Sequence, residues 1–160
     1  MYRIAAIALL FALSLGGCGF QMQGTFAVPD GMQRTYVEAD DKFSPFYRTL
    51  KRDLQASGVN VVDSIDTATA VLTIYQDQTD QRVLSVSARN VPTEFEVFYI
   101  VRYGLVSGEN TLLEVQDLSA TRSYTYDPAL VLGKAAEQEI MRNAIVDDLV
   151  RILLKQISVR

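Results

Sequence analysis

No histidine occurs among the 160 residues, and the only cysteine is Cys18. The commonest general base and metal ligand are therefore missing, and the commonest thiol nucleophile is confined to one position. Nor does the chain contain a Gly-x-Ser-x-Gly elbow, a Ser-x-x-Lys pair or a phosphate-binding glycine loop. Carboxylates are present as the adjacent pairs Asp40-Asp41 and Asp147-Asp148, but sequence neighbours point in different directions on a strand or a helix. They read as solvated charge, and the chain is not expected to be an enzyme. Positive charge is also short: 15 basic residues stand against 19 acidic ones. Such a balance excludes a general nucleic-acid or anionic-surface binder, so contact with a polyanion requires a local basic site. The longest apolar run, residues 4–15, is too short to cross a bilayer, which takes roughly 20 residues.

That run has another reading. Arg3 supplies a short basic start, residues 4–15 an apolar core, and Leu15-Gly16-Gly17-Cys18 the small residues of a lipoprotein cleavage site. A core helix with an ordinary buried cysteine is the plainer alternative, but Gly-Gly-Cys-Gly would end it badly. Cleavage before Cys18 leaves a mature chain carrying a diacylglycerol thioether and an N-acyl group. Each buried methylene contributes about 0.8 kcal/mol, so one chain holds marginally and three hold firmly. No thiol remains for a disulfide or a metal, and stability must come from packing. No cofactor is expected beyond the covalent N-acyl diacylglycerol. Loss of Arg3 with the leader takes the formal charge from −4 to −5. Gly19 stands where an aspartate tends to retain bacterial lipoproteins at the inner membrane, so the expected destination is the outer membrane, with a periplasm-facing anchor.

The 143 residues after the cut suffice for one domain. The expected division is a signal peptide over residues 1–17, a lipidated lead over 18–32 and one domain over 33–160. Arg34-Thr35-Tyr36-Val37-Glu38 reads as a strand. Ser44-Pro45 has the form of an N-cap followed by proline at the first helical position, and Phe46, Leu50 and Leu54 recur four apart up to Gly58. The polar side of this helix, with Arg48, Lys51, Arg52 and Asp53, reads as a solvated face. Residues 59–62 form a short β-prone run. From Ala70 onward three long β-rich segments follow. The first turns wholly polar over residues 76–81, so that part must outrun the core or lie at an edge. In the second, Phe95, Val97, Tyr99, Val101, Tyr103 and Leu105 alternate with Glu94, Glu96 and Arg102, giving a half-buried strand, although Phe98 and Ile100 lie on its other face. Ser107-Gly108-Glu109-Asn110 is hairpin-turn chemistry, so the second and third segments are expected to pair antiparallel. A final helix is expected over residues 129–157, capped by Asp127-Pro128, with Gly133 able to interrupt its first turns. Ile140, Ala144, Ile145, Leu149, Ile152, Leu153 and Ile157 form its apolar stripe, and Asp147 and Arg151 an i, i+4 pair.

Several stretches in order and spacing resemble one family. They are Cys18-Gly19-Phe20 with Gly24, Ser44 to Leu54 in the first helix, Val86-Ser87-Ala88-Arg89-Asn90 leading to Thr93-Glu94-Phe95-Glu96-Val97, Arg122-Ser123-Tyr124-Thr125-Tyr126-Asp127-Pro128, and Lys134 to Met141. Together they are similar to the lipopolysaccharide-assembly lipoproteins called LptE, once known as rare lipoprotein B. The resemblance implies an α+β fold of two helices packed on one face of a mostly antiparallel four-stranded sheet. It also implies residence in the lumen of the outer-membrane β-barrel LptD, as a plug that assists barrel assembly and lipopolysaccharide transport to the outer leaflet. By the same resemblance, the basic residues associated with lipopolysaccharide fall here on Arg89 and Lys134, for each of which a solvated charge is the alternative. Arginine suits phosphate because its planar fork binds two oxygens at once. Two rival readings stand beside this one. The first is a free-standing periplasmic lipoprotein that binds lipid or peptidoglycan in its own pocket; the second is a membrane-anchored carboxylate hydrolase.

Overall fold

A computed structural model describes residues 26–126 and 131–159, the first seven of the latter by backbone only. Cys18, the leader and the expected Asp127-Pro128 cap lie outside the described residues. The element order is β1 (Arg34–Ala39), α1 (Pro45–Ala56), β2 (Asn60–Val62), a single 3-10 turn (Ile65–Thr67), β3 (Ala70–Val86), β4 (Pro92–Ser107), β5 (Asn110–Thr125) and α2 (Val131–Ser158). No helix among the described residues is long and apolar enough to cross a membrane.

The strands form one sheet in the order β2-β1-β3-β4-β5. β1 pairs parallel with β2 and β3, while β3, β4 and β5 form an antiparallel meander. The fold is α+β with a mostly antiparallel sheet, as the sequence indicated, but five strands stand where four were expected. The fifth is β2, the β-prone run after Gly58, which is only three residues long and gains its pairing from β1.

α1 forms where its cap predicts. Ser44 Oγ accepts a hydrogen bond from the Tyr47 N–H at 3.0 Å, Pro45 occupies the first turn, and Phe46, Tyr47, Leu50 and Leu54 are buried. The helix ends at Gly58, whose φ of 91° suits a residue without a Cβ. α2 runs unbroken through Gly133 for 28 residues, roughly 42 Å at 1.5 Å per residue. Its buried face is Ile145, Val146, Leu149, Val150, Leu153, Leu154 and Ile157, wider than the expected stripe. Val146, Val150 and Leu154 join it because α2 packs against both the sheet and α1, whereas Ile140 and Ile152 are exposed. The ion pair on its polar side also differs from expectation. Arg151 reaches Asp148, which Arg122 of β5 engages from the sheet at 2.6 Å, and Asp147 lies instead 3.8 Å from Arg52 of α1.

Both helices cover one face of the sheet. There Val37, Leu72, Ile74, Val97, Tyr99, Val101, Tyr103 and Leu105 meet Phe46, Leu50 and the buried face of α2 in a single core. Met32 is fully buried, and Phe26 and Val28 pack against the same core, so the lead into β1 is part of the domain. Among the described residues, the opposite face of the sheet has no helix. On it the Tyr75 ring and Val115 close over Gly104, where an added Cβ would stand 3.3 Å from Val115.

Candidate functional site

β1 stops at Ala39, opposite Ile74, while β3 continues to Val86. Beyond Ile74, β3 is therefore a sheet edge, and the polar stretch 76–81 lies at that edge beside the buried Val101, Tyr99 and Val97 of β4. What remains is a three-stranded arm of β3, β4 and β5. Its root is fixed by polar contacts to the helical layer. The Asp77 carboxylate accepts hydrogen bonds from Ser44 Oγ, the cap of α1, and from the Tyr99 hydroxyl at 2.5 Å. Burial raises the Tyr99 phenol above its ordinary value, and the hydrogen bond to Asp77 adds to the shift. Thr79 Oγ1 donates to the Phe98 carbonyl, and the Tyr124 hydroxyl to Gln81, so every second residue of the polar stretch is tied down on the helix side. On the other face Arg82 pairs with Glu96, and Arg102 forms a two-toothed pair with Asp117 at 2.6 and 2.9 Å. The hydrogen bond from Arg102 holds the Asp117 carboxyl below its ordinary value.

Further out, Phe95 stacks on Tyr124 with centroids 5.7 Å apart, and the Tyr126 ring meets Phe95 edge-on at 5.6 Å. The Tyr126 N–H extends the pairing by donating to the Thr93 carbonyl at 2.7 Å. The arm then closes in a turn: the Ser87 N–H donates to the Val91 carbonyl at 2.8 Å and the Asn90 N–H to the Ser87 carbonyl at 2.9 Å. Asn90 takes a φ of 58°, a left-handed conformation that asparagine tolerates better than most residues. Ala88 and Arg89 are thereby presented at the apex, both exposed, and Arg89 forms no ion pair with any described residue.

The topology decides which candidates share an end of the molecule. The chain enters β1 beside the β4–β5 turn, where Gly31 lies against Ser107. α2 returns to that same end, with Gln156 accepting hydrogen bonds from the Tyr103 hydroxyl and from Gln116. The apex of the arm is therefore at the opposite end, and so is the start of α2, because β5 ends at Thr125 opposite Glu94 and α2 begins at Val131. Arg89 and Lys134 are far apart in sequence but lie toward one end of the fold. The Lys134 side chain is outside the described residues, and Cys18 is wholly so.

Two features escaped sequence reasoning. Asp77 sits in a uniformly polar run and only its pairing register singles it out. Around the apex Val83, Leu84, Val86 and Val91 are between 40% and 52% exposed, more than their β-prone run suggested. The pairing there is also irregular, with register shifts at Val83/Ser85 and Ser85/Val86. Elsewhere, Arg48, Thr49 and Arg52 of α1 line an open cleft against Asn143 and Asp147 of α2. Arg52 is held there by Asp53 at 2.8 Å, so the expected solvated face is partly turned toward the second helix.

Fold and arm together define a class: a two-layer α+β domain whose central strands outrun its helical layer at one end. Within that class, the family model for lipopolysaccharide-assembly LptE proteins matches residues 32–157, and the chain belongs to that family. It is similar along 99% of its length to the LPS-assembly lipoprotein LptE of Yersinia enterocolitica, at 26% identity and covering 77% of that protein. The solution structure of lipoprotein B from Nitrosomonas europaea superposes with a TM-score of 0.71 at 28% identity, covering 88% of this chain and 90% of that one. A minor lipoprotein from Acinetobacter baumannii superposes with a TM-score of 0.66 at 25% identity, covering 82% and 94% respectively.

Proposed function

We propose that this protein is a non-catalytic outer-membrane lipoprotein, anchored through acylated Cys18, that occupies the lumen of the LptD β-barrel, assists its assembly and binds lipopolysaccharide on its way to the outer leaflet. In this reading residues 1–17 are removed, the lead over 18–32 carries the lipid at Cys18 and joins the core through Phe26, Val28 and Met32, and residues 33–160 form the rest of the working domain. Arg89 and Lys134 contact lipopolysaccharide phosphates. The observation that carries the reading is the placement of both basic positions at the end of the fold opposite the β4–β5 turn, in a chain that belongs to the lipopolysaccharide-assembly family. An arginine at the apex of a bonded turn, without a described counter-ion, keeps its full fork for a phosphate. The rest of the surface suits a lumen, since the arm shows mixed polar groups on both faces and both edges.

Affinity purification of the tagged full-length protein from mildly solubilised envelopes tests the assembly. A large outer-membrane barrel recovered in near-equal amount is the expected result. Recovery of the lipidated protein alone would favour the free-standing lipid- or peptidoglycan-binding lipoprotein.

A further inference from the structure

Among the described residues, one turn gathers four exposed large apolar side chains. Val83, Leu84 and Val86 close β3, Val91 precedes β4, and each is at least 40% exposed. Isolated exposed apolar residues need no explanation, but four of them within nine residues, around one turn, mark a contact surface. Register shifts at Val83/Ser85 and Ser85/Val86 interrupt the alternation of the strand among them. The hydrogen bonds of the turn, the Phe95–Tyr124 stack and the Tyr126 edge contact brace the structure beneath. The tip is thus a built feature with a cation at its apex and an apolar collar below.

We infer that this collar inserts among the acyl chains of the amphiphile whose phosphate Arg89 holds. The inference rests on the lipopolysaccharide reading given above and adds to it the part of the ligand engaged and the residues that engage it. One observation selects an amphiphile: the order along the tip is cation outermost, then Val86 and Val91, then Val83 and Leu84, so one cation and one apolar band address a molecule that joins a phosphorylated head to hydrocarbon. A collar of valine and leucine fits loosely packed alkyl chains, because burial of apolar area is favourable without directional demands.

The test compares two probes on the full-length lipidated protein in nanodiscs: hexa-acylated lipid A, and the bis-phosphorylated glucosamine disaccharide left when its acyl chains are removed. The variant combines Val83→Thr, Leu84→Thr, Val86→Thr and Val91→Thr, which place a β-branched, strand-compatible side chain at every position. A single Val86→Thr variant stands as a milder version should the combination melt early. The expected result is a loss of lipid A affinity of about tenfold or more in the combined variant, and a smaller loss in the single one, with disaccharide affinity unchanged. Equal lipid A affinity in parent and variant would overturn the acyl assignment, as would equal loss of both probes, or loss of barrel recovery with lipid A binding intact. Failure of the parent to bind either probe strikes the lipopolysaccharide reading itself, and so differs from failure of the collar alone.

Discussion

The two halves of the central strands follow different rules although the chain passes between them without a break. Up to Ile74, β3 lies between β1 and β4 beneath two helices, and Ala70, Leu72 and Ile74 are buried. Past Ile74 the same strand is an edge beside Val101, Tyr99 and Val97 of β4, which stay buried, and its own side chains are polar or exposed and hydrogen-bond to that layer. The first half is held by apolar packing of both strands against α1 and α2. The second is held by the burial of β4 alone, by backbone pairing, by ion pairs across its open face and by one aromatic cluster. A strand can thus serve as core at one end and as a projecting tool at the other, provided a polar anchor such as Asp77 marks the boundary.

Substitutions separate the halves. Leu72→Ala, in the packed half, should cost about 2 to 5 kcal/mol through lost burial and an unfilled cavity, read as a fall in denaturation midpoint. Val86→Thr, in the arm, should stay within about 0.5 kcal/mol of the parent. If the two cost the same, the arm is not the surface element described. Asp77→Ala removes the acceptor shared by the Ser44 and Tyr99 hydroxyls and should cost about 1 to 3 kcal/mol, while Asp77→Asn, which keeps an acceptor, should cost less. Equal losses in both variants would show that the negative charge, not the hydrogen bonding, fixes the boundary.

Alkaline titration addresses the packed half. Burial pushes the Tyr103 phenol up to about 12, above its ordinary value near 10. A raised pKa means that the folded state favours the protonated phenol, so the contribution is complete below pH 10 and is lost as pH rises toward 12. Thermal melts from pH 8 to 11.5 should fall in this window, and Tyr103→Phe should flatten the part due to this residue. A small effect also belongs to the open face. Arg102→Ala breaks a bidentate but exposed pair with Asp117 and should lower the melting temperature only slightly, and less at high salt.

Legibility in the sequence followed the physics of each element. α1 was readable because Ser44, Pro45 and the four-residue spacing of Phe46, Leu50 and Leu54 are local signals, and the β4–β5 turn because Gly108 lies in a four-residue turn motif with Asn110. The polar half of β3 gave no strand signal of its own, since its strand character comes from the partner β4, and of the two positions its polarity allowed, past the core or at an edge, the register selects the edge. The exposure of Ile140 and Ile152 and the burial of Val146, Val150 and Leu154 depend on α2 touching two surfaces at once, which a single-stripe reading does not capture. At the candidate site, Arg89 was singled out by resemblance, whereas Asp77 and the collar of Val83, Leu84, Val86 and Val91 became visible only with the register and its bulges.

The central claim is that the end of the arm handles lipopolysaccharide and leaves the stability of the domain to the other half. Lipopolysaccharide affinity and melting temperature measured together on the parent and on Arg89→Ala test it most directly. The account predicts an affinity about tenfold or more weaker, as expected for a lost charged hydrogen-bonding partner, with an unchanged melting temperature. Unchanged affinity, or a loss of affinity that merely tracks a loss of fold, would contradict it.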